Sequence, residues 1–335
     1  MTREHAPFFV VGVDRSGTTM LRLVLDRGDV AIPPESMFLA DLDGVRRNGD
    51  LSDPAAAAAF VRRVWEHPRV RLWGVGGDPP RVPAGLSHAD AYRFAVETPF
   101  LAYARAQGKE RWADKTPRYL ASIDELAAVW PAARFVVLVR DGRDVALSLL
   151  RVTFGPNNVW AAARAWSRGV RLGLEAERRH PGRVLTARYE DVVAAPETEV
   201  ERICRFLDLS YDREMLAIER ADRGKILTDQ AGWFTNMWTG INTSAVGKWK
   251  TEMSPHDRAV FAALAGPELE GMGYELTPPA RPSRLAEAAY RAHDAGLRAA
   301  NFVRLRLVAE RGREVRYVLR RKLDRARRPA ARGRA

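Results

Sequence analysis

The sequence predicts an α/β fold, a parallel β-sheet flanked by helices, with a basic helical extension at the C-terminal end. Three observations carry this expectation. Two short apolar runs, Phe8–Val13 and Phe135–Val139, each lead through a turn into a helical pattern. Uninterrupted runs of this length, rich in β-branched and aromatic residues, suit parallel strands covered on both faces. The charge is also segregated: residues 281–335 hold 17 Lys and Arg against 5 Asp and Glu, which accounts for the whole net charge of +12.

The elements follow in order. Phe8–Val13 (FFVVGV) reads as a buried strand and DRSGTT as a small-residue turn. Thr18 to Arg27 reads as a helix with Met20, Leu21, Val24 and Leu25 on one side. Residues 41–107 look helical and irregular, interrupted by a Gly/Pro-rich stretch at 74–85. Thr116-Pro117 has the form of a helix N-cap with proline at the first helical position. Phe135–Val139 is the second inner strand, Arg140 to Arg143 its turn, and Val145 to Leu150 opens the next helix. Val184–Tyr189 reads as a further strand, Pro196–Leu207 as a helix, and Ser254-Pro255 with Asp257 as the start of another. PPARP at 278–282 marks the boundary between a domain at 1–280 and the tail at 281–335. No internal repeat is present.

The composition excludes several classes. At 335 residues and 46% hydrophobic, the chain can bury a large core. Cys204 is the single cysteine, so no intramolecular disulfide forms. The N-terminal apolar run is too short for a signal h-region or a membrane span, and the expectation is a cytoplasmic protein. Residues 1–280 carry 37 residues of each sign, so the charge gives no reason to read the domain as a nucleic-acid binder. The 6 His are scattered singly, and clustered Cys/His ligand spacing is missing; no metal is expected.

The turn Asp14-Arg15-Ser16-Gly17-Thr18-Thr19 sits where a strand meets a helix N-terminus. Open N–H groups and the helix dipole attract an anion there. Gly17 permits close backbone approach, Ser16, Thr18 and Thr19 offer hydroxyls, and Arg15 adds a forked cation. The sheet is in this sense P-loop-like, yet the nucleoside-triphosphate pattern GxxxxGK[ST] is absent because no Lys precedes Thr18.

VGVDRSGTTMLRLVLD resembles the 5′-phosphosulfate loop of sulfotransferases that use 3′-phosphoadenosine 5′-phosphosulfate (PAPS). It is closest to the tyrosylprotein-sulfotransferase-like and bacterial branch, which carries Arg in this loop. VLVRDGRDVALS is similar to the family's 3′-phosphate motif, an Arg followed eight positions later by Ser, here Arg140 and Ser148. Beside VAIPPESMFL the resemblance makes Glu35 the catalytic base. WADKTPRYL makes Lys115 a sulfate contact, and ARYEDVV puts Tyr189 near the nucleotide. GKWK makes Lys248 and Trp249 part of a loop over the cofactor. The similarity spans about residues 8–275, in patches. It departs from the family's best-known pattern in having no obvious catalytic His.

The resemblance implies sulfuryl transfer from PAPS to a hydroxyl acceptor, leaving 3′,5′-ADP, by in-line displacement as in phosphoryl transfer. Arg15, Ser16, Gly17, Thr18 and Thr19 would hold the 5′ end, and Arg140 and Ser148 the 3′-phosphate. Arg15 and Lys115 would stabilise charge. Glu35 would take the acceptor's proton, with its pKa raised by burial. The acceptor is open among glycan, lipid-linked, natural-product and tyrosyl hydroxyls, with 41–107 a candidate region for binding it. Two rival readings are a P-loop kinase or nucleotide hydrolase, and a non-catalytic membrane adaptor on a sulfotransferase fold. The missing GK[ST] lysine argues against the first, and intact Arg15, Lys115, Arg140 and Ser148 against the second.

The tail, taken over 284–325, reads as an amphipathic basic helix broken by Gly296 and Gly312. It suits an anionic membrane surface. A helix packed on the domain or in a homodimer is the alternative. Nucleic acid is disfavoured because no recognition motif accompanies the charge.

Overall fold

The computed structural model describes residues 6–39, 49–152, 155–220, 240–301 and 303. Five parallel strands form one sheet in the order β2-β3-β1-β4-β5: β1 Phe8–Gly12, β2 Val30–Ala31, β3 Arg111–Lys115, β4 Arg134–Val139 and β5 Val184–Arg188. β1 is the central strand and β4 lies between β1 and β5, so both expected inner strands are interior.

Alternation along β1 and β4 explains why both runs are wholly apolar. Phe9, Val11, Phe135, Val137 and Val139 face one core, while Phe8, Val10, Val136 and Leu138 face another. Each such side chain, taken out of water, contributes about 1.5–3 kcal/mol. Phe9 stacks on Phe135 at 5.3 Å between ring centroids.

On the first face lie α2 (Pro54–Trp65), α3 (Pro68–Leu72) and α4 (His88–Ala106), with α5 (Ile123–Val129), α7 (Val159–Arg179) and α11 (Pro255–Gly271). On the second lie α1 (Thr18–Leu25), α8 (Tyr189–Ala194) and α9 (Pro196–Leu207). Residues 54–106 therefore belong to the main core. Phe60, Trp73, Tyr92 and Phe100 are buried in it, and Phe100 stacks on Trp112 of β3 at 4.4 Å. The 74–85 interruption is non-helical, as expected.

The structure corrects three local expectations. β2 and β3 were not legible as strands. β3 reads RWADK, and its charged residues Asp114 and Lys115 are nonetheless buried. Thr116 and Pro117 take the N-cap and first helical positions as expected, but of a 3₁₀ segment, Pro117–Ser122, and the Thr116 hydroxyl donates to Asp114 at 2.9 Å instead of capping it. The tail helix runs unbroken through Gly296 over residues 284–301. It docks on the domain at Asp294, whose carboxylate accepts from the Asn157 N–H at 2.8 Å; Asn158 donates to the Tyr290 carbonyl at 2.8 Å. Phe302, Leu305, Val308, Gly312, Val315, Leu319 and Leu323 lie outside the described residues. No described helix is long and apolar enough to cross a membrane.

Candidate active site

The strands point their carboxyl ends at one crevice, where a doubly wound sheet places its ligands. After β1 the chain turns sharply, with Arg15 at φ 73° and Gly17 at φ 93°. Gly17 is the N-cap of α1 and supplies no side-chain cap, so the first-turn N–H groups face the turn rather than a protein side chain. A methyl at Gly17 would meet Cδ2 of Tyr189 at 2.4 Å, so the ring and the loop backbone are in direct apposition. Ser16 is 0% exposed, and its hydroxyl has no partner among the described residues.

β4 delivers the second motif to the same place. Arg15 Nε donates to Ser148 Oγ at 2.9 Å, and Arg140 Nη1 donates to the Arg15 carbonyl at 3.3 Å. Ser148 lies on α6 (Gly142–Leu149). The Arg140 guanidinium sits 5.0 Å from the centroid of the Tyr189 ring, a cation–π distance. Its Nε is buried and unpartnered among the described residues. Two buried polar atoms without partners, a helix N-terminus without a side-chain cap and two guanidiniums fit a ligand with two phosphate groups.

β3 brings Lys115. Its ammonium donates to Thr19 Oγ1 at 3.1 Å and to Glu35 Oε1 at 2.5 Å. Glu35 follows β2. Burial alone would raise its pKa, but the Lys115 charge and hydrogen bond, helped by Arg69 and Arg22, hold it below the ordinary glutamate value. This corrects the expectation of a raised pKa: a buried carboxylate with a bonded cation stays ionised. Burial lowers the Lys115 pKa, against the pull of Glu35. Burial also raises Asp14.

Behind this pair is a network that the sequence did not disclose. Asp114 accepts from the hydroxyls of Ser36 and Thr116, and Ser36 shares a 2.7 Å bond with the Tyr119 hydroxyl. Tyr119 in turn accepts from the Leu39 N–H at 2.8 Å. The segment carrying Glu35 is thus pinned to β3. Burial pushes Asp114 up to about 7, with Glu35 adding to the rise. The signal lay in WADK, where a carboxylate next to the key lysine falls inside a five-residue strand.

Arg15, Ser16, Gly17, Thr18, Thr19, Glu35, Lys115, Arg140, Ser148 and Tyr189 are therefore brought to one crevice. Lys248 is half-buried and opens α10 (Trp249–Glu252) beside the Arg140 turn. Trp249 is placed differently. Its ring is 3% exposed and lies 3.4 Å beneath the Arg143 guanidinium, which makes it a packing anchor for its loop. Among the histidines, His67 and His88 accept backbone N–H bonds, and His180 pairs with Asp124 at 2.7 Å.

The profile of the sulfotransferase family matches residues 7–213. The chain belongs to the sulfotransferase family. This sulfotransferase is 26% identical over 288 residues to a putative protein-tyrosine sulfotransferase of Caenorhabditis briggsae, covering 80% of this chain and 89% of that one. It is 27% identical over 305 residues to the nodulation protein NoeE of Sinorhizobium fredii, covering 82% and 68%. Its fold resembles the sulfotransferase domain of the curacin biosynthetic pathway, with a TM-score of 0.55 at 18% identity over 82% of this chain and 100% of that one. It also resembles the sulfotransferase domain of the Synechococcus PCC 7002 olefin synthase, with a TM-score of 0.54 at 24% identity over 83% and 99%. The kinase and adaptor readings are set aside.

Proposed function

We propose that this crevice binds PAPS and catalyses transfer of its sulfuryl group to an acceptor hydroxyl. The observation that carries the reading is the junction of the two phosphate motifs. Residues 125 and 133 positions apart meet through Arg140–Arg15 and Arg15–Ser148. PAPS supplies a sulfuryl group on a phosphate leaving group, and no metal enters the reading. Ser16 to Thr19 hold the 5′ end at the start of α1. Arg140 and Ser148 grip the 3′-phosphate, with Tyr189 beneath the Arg140 guanidinium and Lys248 at the rim. Arg15 and Lys115 neutralise charge on the leaving phosphate oxygen. Lys115 carries three N–H donors, two of them committed to Thr19 and Glu35, which leaves one for a sulfuryl oxygen. Glu35, already ionised, accepts the proton as the acceptor oxygen forms its bond to sulfur.

The acceptor side is the wall formed by α2 to α4. Arg69 of α3 lies close enough to act on Glu35, and Phe38 packs on His67 at 5.2 Å and on Trp73 at 6.1 Å. An aromatic wall beside the base suits a phenolic hydroxyl, as do relatives named protein-tyrosine sulfotransferase. The test is a thermal-shift series: 3′,5′-ADP should stabilise the protein well beyond ADP or ATP at equal concentration. Arg140→Ala should weaken 3′,5′-ADP by about 2–4 kcal/mol and leave 5′-AMP nearly unchanged. Equal shifts for all nucleotides would reject the donor.

The tail supports a second part of the reading, attachment of a cytoplasmic enzyme to an anionic membrane. Residues 304–335 hold 13 Lys and Arg against 3 Asp and Glu, and the docked helix leaves Leu285 82% exposed. Each basic residue near such a surface contributes about 1 kcal/mol. A chain ending at Val303 keeps the Asp294 dock. The full chain should sediment with phosphatidylserine vesicles at low salt, and the shortened chain should not. A full chain that ignores the vesicles but elutes as a dimer would assign the tail to self-association instead.

A further inference from the structure

Asp144 has no part in the readings above, yet it is fully buried within reach of the Arg140 guanidinium. It stands in the first turn of α6, four residues after Arg140, and its side chain is 0% exposed. A carboxylate there suits the helix N-terminus, but the helix dipole does not account for its other partners. Oδ2 accepts the Gly247 N–H at 2.8 Å and Oδ1 accepts the Trp249 N–H at 2.9 Å. Gly247 belongs to the loop before α10 and Trp249 is the first residue of α10, both more than 100 residues away in sequence. Oδ2 also lies 3.8 Å from Arg140 Nη2, and that nitrogen donates to the Ala245 carbonyl of the same loop at 2.5 Å.

One carboxylate thus fixes the loop on either side of Lys248 and steadies the charge of Arg140. Burial raises the Asp144 pKa against the pull of the two backbone N–H bonds and the Arg140 guanidinium, and those same directed contacts on both oxygens let the carboxylate act as a rigid bracket. Arg140 and Lys248 come from distant parts of the chain and share no other fastening of this kind among the described contacts. Among the described residues, the loop would without Asp144 be joined to Arg140 only through the Ala245 carbonyl.

We propose that Asp144 is a positioning residue that brings Lys248 and Arg140 together as two arms of one clamp on the donor's 3′-phosphate. The proposal rests on the reading of Arg140 as the 3′-phosphate ligand, and it adds a residue that never touches the nucleotide. A carboxylate serving only the fold would change stability and leave the preference for the 3′-phosphate intact. A bracket changes the preference itself.

The measurement is the ratio of the dissociation constants of 5′-AMP and 3′,5′-ADP, by calorimetry on the full chain. Asp144→Asn removes the charge and one N–H acceptor at constant shape. It should weaken 3′,5′-ADP by roughly 10-fold or more, the scale of losing a charged hydrogen bond, and alter 5′-AMP by less than about 3-fold. Gly247→Ala provides a route that leaves Asp144 alone, in case the first variant does not fold. Gly247 has φ 72° and nothing within 4 Å of an added methyl, so only the backbone at the bracketed amide is strained. It should shift the ratio in the same direction. Arg140→Ala is the control and should collapse the ratio. If Arg140→Ala collapses it while Asp144→Asn, or Gly247→Ala where the first does not fold, leaves it unchanged, the bracket is overturned and the donor reading stands. If Arg140→Ala itself leaves the ratio unchanged, the donor reading falls and takes the bracket with it.

Discussion

Gly17 offers a stringent quantitative test of the crevice, because two independent costs fall on one added methyl. The residue has φ 93°, where an L side chain costs about 1–2 kcal/mol. The methyl would also stand 2.4 Å from Cδ2 and 2.8 Å from Cε2 of Tyr189. The ring cannot simply turn aside, since it is buried and lies against the Arg140 guanidinium. Overpacking of this kind costs about 1–3 kcal/mol, so Gly17→Ala should lose roughly 2–5 kcal/mol in total. Tyr189→Ala alone should cost about 3–5 kcal/mol for the vacated ring. The two should not add. In the double variant the methyl occupies space the ring has left, so the overpacking cost disappears and the backbone cost adds to that of the lost ring. Urea denaturation of the four proteins should show a double variant more stable than the sum of the singles predicts, by about 1–3 kcal/mol. Additive losses within about 0.5 kcal/mol would mean that ring and loop do not press on each other, and the geometry argued for the phosphate turn would be wrong.

Two further outcomes concern the Lys115–Glu35 pair. Glu35→Gln should lower turnover by about 10²–10⁴ while 3′,5′-ADP affinity, read by calorimetry, stays within a few-fold. Lys115→Met should change how stability depends on pH. In the native chain Glu35 is held below 4.5, so its contribution is present above that pH and lost as pH falls through the lowered value. With the ammonium gone, burial raises the carboxyl, and stability is instead lost as pH rises through the raised value. The stability gap between the two proteins should therefore widen as pH rises from below the lowered Glu35 value of the native chain through the raised value of the variant in denaturant titrations, and a constant gap would show that the pair is not coupled.

The parts of the fold that were legible are those where local pattern and final environment agree. β1 and β4 are apolar at every position because both faces of the sheet are covered, and their turns carry the residues an anion needs. Legibility ended where burial was electrostatic. RWADK has no apolar run, and β3 exists because its neighbours satisfy Asp114 and Lys115 through Ser36, Thr116, Thr19 and Glu35. The lowered pKa of Glu35 is hidden for the same reason: burial can be read from apolar surroundings, but a cation arriving from a strand 80 residues away cannot. Glycine weakens a helix by about 1 kcal/mol, which makes Gly296 read as a break, but the surrounding helix and its dock at Asp294 absorb that cost. Asp144 was visible in RDGRDVALS as a carboxylate four residues after the arginine. Its partners, two backbone N–H groups beyond residue 240, have no side-chain signature at all.

The placement of β1 has a consequence during synthesis. The earliest of the described strands in the chain ends up at the centre of the sheet, paired on one side with β3 and on the other with β4, where Phe8 aligns with Arg134. On a ribosome adding about 5–20 residues per second, ~130 residues separate Phe8 from its β4 partner, a wait on the order of 6–25 s. FFVVG has neither neighbour until β3 is made and only one until β4 follows, and an exposed apolar strand edge is a template for pairing with other chains. Expression of this enzyme should therefore depend on chaperone supply and translation rate more than its finished stability would suggest. Slowing translation after residue 140, rather than before it, should be the change that spares the yield of soluble protein.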